Sequence, residues 1–500
     1  MMRALHNGLL TASCLIALCP PVVRAQSQQQ GQGQNQSPDQ SSQPIPAYHS
    51  PLASAADNGQ DDTSGAQQLV PDTRPLTGVE DLSIGIPATQ HSYWQPRVDF
   101  FSTLDTNPLN GSGNNSLTSF TTISAGIDLH RISGNSALTL DYTGGGSISN
   151  DGSSTNGVVQ ALSLSERLAY RRYAISFFDQ LLYAPQTALG ASSIPGTSGL
   201  PGGGAGGFGN GYTPGQSILT TRGQRLTNST DGEVDAFLNA RSSLTFVGGY
   251  SILDSFDDSQ LNYGNVIFSA GYNYQMSRAN TVGFSYQYSA FNYSNFDQSI
   301  KNNIISVSYG RRITGKLAFQ VSGGPDIAFV HMPIPTSTGT SGGAGGGTLG
   351  SSTATTQVYA SFNTSLRYQG RLVGFAATYN HGVGGGSGVL AGSITDNTSG
   401  TVSRQLSRTL NGSWNLGYSR NRGLEVAGTA TASQLFNYWY TGVSLSHPWG
   451  RSMNLSLGYQ LQYQNQSTNT PGCTGAACGT SETRNQITFA LGWHRQPIPF

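Results

Sequence analysis

From Tyr93 to the C-terminus the chain repeats one pattern. A stretch of roughly ten to fourteen residues alternates apolar with small polar side chains, a tight turn follows, then a second such stretch, then a longer polar connection. Side chains point alternately to the two faces of a strand, so each stretch has one apolar and one polar face. Four stretches show it most clearly. Phe268 and Tyr272 alternate with Ser269, Asn273 and Gln275; Phe284 and Tyr286 alternate with Ser285 and Gln287. Leu455 and Leu457 alternate with Ser456, Gln460 and Gln462; Phe489, Leu491 and Trp493 alternate with Thr488, Ala490 and Gly492. A soluble sandwich alternates too, so three further features decide. The stretches are long enough to cross a bilayer at a tilt. Aromatic residues gather toward their ends, where a membrane interface would hold them. And short turns alternate strictly with long connections.

The short turns are ISGNS (Ile132 to Ser136), YRRY (from Tyr170), NARSS (from Asn239), MSRAN (from Met276), RRITGK (from Arg311), YQGR (from Tyr368), SRTLNG (from Ser407) and HPWGRS (from His447). Eight hairpins plus the two end strands predict an antiparallel transmembrane β-barrel of about 18 strands, with 16 as the neighbouring even number. The weakest strands are the first, Arg97 to Leu104, and those flanking Leu424. The largest long connections run from about Ala184 to Ser229, Met332 to Thr355, His381 to Asn397 and Gln464 to Glu482. Arginines such as Arg171, Arg172, Arg241, Arg311 and Arg451 sit at short turns, whereas Asp151, Asp254, Asp257 and Asp297 sit near long ones. General solvation of turns would not separate the signs. The segregation places the short turns in the periplasm and the long loops outside.

An outer-membrane address requires export. Arg3, the apolar run Leu9 to Leu18 and the small-residue site Val23-Arg24-Ala25 read as a signal peptide over residues 1–25. The run is too short to span a membrane as a helix and Pro20-Pro21 ends it. Residues 26–92 open with a Gln/Ser/Pro-rich stretch that cannot bury a core, and are expected to be a disordered periplasmic arm, with the barrel over 93–500. Two cysteines remain after export, Cys473 and Cys478 in TPGCTGAACGT, and an oxidising compartment predicts a disulfide between them in the last outer loop. Metal binding there is disfavoured because no His or acidic cluster adjoins.

Composition bears on function mainly by exclusion. Only 10% of residues are charged and the formal net charge is zero, which gives no support to nucleic-acid binding. His381 precedes GVGGGSGVL and Ser387, but no G-x-S-x-G elbow is present, and GGGSG from Gly384 to Gly388 lacks the Gly-Lys-Ser/Thr of a phosphate loop. It reads as an outer loop. No catalytic, cofactor or metal residues are expected. The polar faces, with Asn363 on another strand, are mostly Ser, Thr, Asn, Gln and Gly; Asp128, Asp141, Arg367 and Glu166 are the charged exceptions.

The stretches GYNYQMSRANTVGFSYQYSAFNYS, VSYGRRITGKLAFQVSGGP, HGVGGGSGVLAGS and VSRQLSRTLNGSWNLGYSRNR resemble outer-membrane β-barrel proteins of acidobacterial type. The resemblance implies an envelope barrel and no established biochemistry. Phe500 resembles the terminal aromatic used in barrel assembly, interrupted here by Pro497 and Pro499, so ITFALGW (from Ile487) is the alternative assembly signal.

A barrel of this size leaves an aqueous lumen unless something fills it. The expected role is therefore a pore for small or chain-like neutral polar solutes. Two alternatives are a polysaccharide-export barrel working with periplasmic export proteins, and a plugged structural or adhesive surface barrel. The expected partners are outer-membrane lipid and the barrel assembly machinery.

Overall fold

The computed structural model describes residues 92–106, 117–149, 156–185, 224–256, 262–294, 298–333, 352–370, 372–385, 390–424, 434–468 and 479–500. The strands are β1 (Tyr93–Asp105), β2 (Thr118–Ser133), β3 (Ser136–Ser149), β4 (Gly157–Ala169), β5 (Tyr173–Pro185), β6 (Gln224–Asn239), β7 (Ser242–Ser255), β8 (Tyr263–Gln275), β9 (Asn280–Tyr293), β10 (Ser299–Thr314), β11 (Leu317–Pro333), β12 (Ser352–Gln369), β13 (Val373–Gly384), β14 (Ser393–Gln405), β15 (Asn411–Gly423), β16 (Gln434–Trp449), β17 (Met453–Thr468), β18 (Gly479–His494) and the two-residue β19 (Ile498–Pro499). Each of the first eighteen pairs antiparallel with its neighbour in sequence, and β1 closes the sheet on β18 from Arg97↔His494 to Asp105↔Gln486. The result is a closed antiparallel barrel of 18 strands. β19 extends the closing seam by pairing with Tyr93 and Trp94, so the two prolines near the C-terminus lie beside the ladder of β18 rather than within it. The weak first strand and both strands flanking Leu424 are present.

Closure matters because backbone amides facing hydrocarbon find no water; a barrel satisfies them between strands and leaves no edge. The short turns form as the sequence requires. ISGNS, for example, reverses the chain at Gly134, whose φ of +58° suits a residue without Cβ.

The period of two turns one face of each strand outward. Phe246, Phe268, Phe284, Val307, Leu416 and Leu457 are all exposed on the outer surface, while their sequence neighbours turn inward. Tyr142, Tyr250, Tyr286, Tyr418, Trp439 and Tyr459 lie farther from the short turns on the same surface. Trp414, Trp449, Tyr170 and Tyr274 lie close to the turns. Apolar and aromatic side chains along the outer surface are what a lipid-facing wall needs. Outer tyrosines bond across strands: the hydroxyls of Tyr286, Tyr418 and Tyr459 donate to Oδ1 of Asn303, Asn437 and Asn485 at 2.7, 3.1 and 2.8 Å.

Two local readings differ from the structure. The long connection expected from His381 to Asn397 is mostly strand, since β13 and β14 stay paired up to Gly384↔Ser393. Glu166, expected inside, lies on the outer side at the short-turn end. It stands opposite Leu138 and the exposed Phe177, and accepts a bond from Ser136 Oγ at 3.3 Å. Strand parity sets that direction; proximity to the YRRY turn leaves the carboxylate near water.

Candidate functional site: the inner wall and an inward hairpin tip

The inner wall divides into a charged and a neutral sector. Charges crowd one side of the lumen from β18 through β1 to β6. Arg97 pairs with Asp128 and with Asp141 (2.5 Å), contacts Asp99 (3.5 Å) and donates to Thr143. Nearer the long connections Arg484 and Asp105, exposed by 1% and 0%, pair across the closing seam, with Arg484 Nε donating to Asp105 Oδ2 at 2.6 Å. Gln486 Nε2 donates to the same oxygen at 3.1 Å, and Thr103 and Thr488 share a 2.9 Å hydroxyl bond beside it. On β6, Asp231, Glu233 and Asp235 follow one another at every second residue and so share the inner face, all of them buried. Their backing is small: Thr245 Oγ1 donates to Asp235 at 2.6 Å, and Gly249 leaves the space Asp231 occupies.

The other sector is neutral. By strand parity the inner faces of β13 to β17 present Ser, Thr, Asn, Gln, Gly and aromatic side chains, with Ala376 and Pro448, and, among the described residues, no Asp, Glu, Lys or Arg.

The structure places the inner candidates Ser269, Asn273, Gln275, Ser285, Gln287, Asn363, Ser456, Gln460 and Gln462 on the lumen side. Arg367 joins Arg312 inside, both opposite Ala318, near the short turns. The outer candidates Phe268, Tyr272, Phe284, Tyr286, Leu455, Leu457, Phe489, Leu491 and Trp493 lie on the lipid side. Arg97, Asp99, Asp105, Asp231, Glu233, Asp235 and Arg484 were missed as lumen residues. Their signal was available: each set sits at even spacings within its own strand. Cys473 and Cys478 lie outside the described residues.

The wall also sends a segment inward. β12 pairs with β11 as far as Ser352, but its ladder with β13 stops at Phe362↔His381. Beyond that point the β13–β14 tip leaves the wall and packs on inner side chains of other strands. Val383, Ala391 and Leu424 rest on a buried apolar patch that includes Tyr263, Phe291, Ile300 and Val330. Tyr293 donates to the Gly385 carbonyl at 2.9 Å and Gln298 Nε2 to the Ala391 carbonyl at 2.6 Å. Leu390 packs on Phe436 of β16. The described flanks of the expected outer loop Gly384 to Gly388 thus face the lumen, where Val383, Leu390 and Ala391 have an apolar seat.

Gly392 is the pivot. Its φ is +88°, and a Cβ there would collide with Ile300 Cδ1 and approach Leu424 Cδ1. Gly392→Val should therefore unseat the tip while leaving the barrel closed. Single-channel recording should show larger conductance, and limited proteolysis a new cut near the tip. Unchanged conductance in a heat-modifiable variant would mean the tip does not narrow the path.

His381 stands on the other, outward side, where its Nδ1 lies 2.6 Å from Asp396 Oδ1 and Tyr379 donates to the same oxygen at 3.0 Å. Ser387, the partner a nucleophile would need, lies outside the described residues. Among the described residues no group of three His, Cys, Asp or Glu side chains is placed to hold a metal.

No protein-family model and no curated protein matches the chain. Three solved structures from Pseudomonas aeruginosa are similar over most of their length. OccK2 (OpdF) has 10% identity, with 81% of this chain and 98% of that one covered and a TM-score of 0.40. OccK5 (OpdH) has 11% identity, coverage of 82% and 99%, and a TM-score of 0.39. The outer membrane protein OpdK has 11% identity, coverage of 81% and 98%, and a TM-score of 0.37. Likeness at that level lends no support to any particular solute.

Proposed function

We propose that the chain is an outer-membrane pore, of the acidobacterial type its sequence resembles, that passes small or chain-like neutral polar solutes and carries out no catalysis. The observation that carries this reading is the barrel's two-sidedness. Apolar and aromatic side chains face outward, and an inner wall holds a broad uncharged sector of hydroxyls and amides. A large barrel with a polar interior is a conduit by construction. The inward tip reduces its bore, which favours selective passage over bulk flow. Lipid on the outer belt and the assembly machinery during insertion are the partners this reading requires.

Reconstitution tests it. Purified, heat-modifiable protein in a planar bilayer should give discrete ion-conducting steps, and liposomes carrying it should swell in isotonic neutral sugars. A correctly folded barrel that passes neither ions nor sugars would overturn the pore reading and leave the plugged surface barrel.

A further inference from the structure

Resting on the pore reading, we propose that the neutral sector is a carbohydrate path, with Phe436, Tyr438 and Tyr440 of β16 as its stacking surface. These three side chains occupy every second position of one strand, their Cα atoms about 6.7 Å apart, and so form a column along the lumen wall. The Tyr438 and Tyr440 rings have centroids 5.8 Å apart and planes tilted by 32°. Polar residues bracket each ring on the neighbouring strands. Asn421 and Gln466 stand opposite Phe436, Ser419 and Gln464 opposite Tyr438, and Gly417 and Gln462 opposite Tyr440. Gly417 is what lets the Tyr440 ring lie against the wall, since a Cβ there would collide with it.

The polar groups indicate the kind of ligand. Tyr440 Oη, Gln462 Oε1 and Gln460 Nε2 are buried and have no hydrogen-bond partner among the described residues. Buried polar atoms left in that condition mark a place where a partner is expected. The set mixes donors and acceptors, and the inner faces of β13 to β17 that carry it hold no charged side chain among the described residues, the nearest across the ladder being Arg484 opposite Gln462. An anion can only accept and an ammonium can only donate, whereas a hydroxyl does both. A sugar ring offers that rim of hydroxyls together with apolar C–H faces that pack on aromatic rings. A linear oligosaccharide repeats both features along its length, as the column does.

The column is covered in this structure: Tyr438 and Tyr440 are 0% and 2% exposed, and Leu390 of the inward tip packs on Phe436 at the end nearer the long connections. Leu390 therefore closes the Phe436 end of the column.

The test uses the full-length protein in planar bilayers, with maltohexaose as the neutral probe. The parent channel should show concentration-dependent interruption of ion current. Tyr440→Ala and Phe436→Ala should each raise the half-blocking concentration by roughly tenfold, the equivalent of one lost aromatic contact. Tyr440→Phe, which keeps the ring, should retain most of the block. Leu390→Gly should speed its onset. Phe178→Ala, an inner aromatic of the charged sector, should leave it unchanged, and gel heat-modifiability certifies that each variant is folded. Current without sugar block, or a block that survives Tyr440→Ala and Phe436→Ala in folded channels, would overturn the carbohydrate path alone. Absence of any current in the parent would overturn the pore reading beneath it.

Discussion

An Asp105→Leu variant is expected to yield a barrel less stable than the parent by about 3–5 kcal/mol, the cost of breaking a buried ion pair by removing one member. Arg484 is almost wholly buried and bonds Asp105 through both Nε and a terminal nitrogen, while Gln486 donates to the same carboxylate. The pair also spans β1 and β18, whose pairing closes the sheet. Losing it should therefore lower the temperature at which the compact gel form converts to the unfolded one, and slow refolding into detergent micelles. The double variant Asp105→Leu/Arg484→Leu separates charge from volume. It should recover most of the loss, because replacing a whole buried pair by apolar residues is often close to neutral. A double variant no more stable than Asp105→Leu would assign the effect to packing at the seam rather than to the broken ion pair.

How much of this was legible beforehand depended on periodicity. β17 reads as Leu455, Leu457, Tyr459 against Ser456, Gly458, Gln460, and the structure separates the two sets to opposite faces. Wherever the period of two is unbroken, faces follow from sequence, because one side must meet lipid. The inner charges were harder. In β6 the acids are interleaved with Gly232 and Val234, too short a contrast to reveal a face on its own. Glu166 was misplaced by one step of parity, which is enough to cross the wall. The inward tip was not legible at all. GVGGGSGVL has no period, and the direction of its described flanks is decided by Phe291, Ile300 and Phe436, which lie far from it in sequence and offer the apolar seat. Nor could pattern alone reveal the column on β16, where Phe436, Tyr438 and Tyr440 face inward and Trp439 faces lipid. Aromatic residues on both faces make the strand's two sides look alike until its register with β15 is known.

The sharpest contrast between faces lies in two adjacent residues of β17. Leu457→Arg should impair insertion, because an arginine at the midplane of a barrel's lipid face costs roughly 2–4 kcal/mol. Leu457 is 50% exposed, between Leu445 of β16 and Phe489 of β18, which are exposed on the same outer side. A guanidinium there would have only lipid and these side chains for company. Ser456→Arg places the same side chain one residue away on the inner face, opposite Ser446 and Ala490. There it reaches the polar wall, so the barrel should form normally and its conductance should change instead. Membrane fractionation with gel heat-modifiability reads the first effect, and bilayer recording the second. Leu457→Arg should reduce the folded outer-membrane fraction severalfold, with Ser456→Arg close to the parent. Equal loss in both variants would mean that Ser456 does not face water, and equal tolerance would mean that Leu457 does not face lipid.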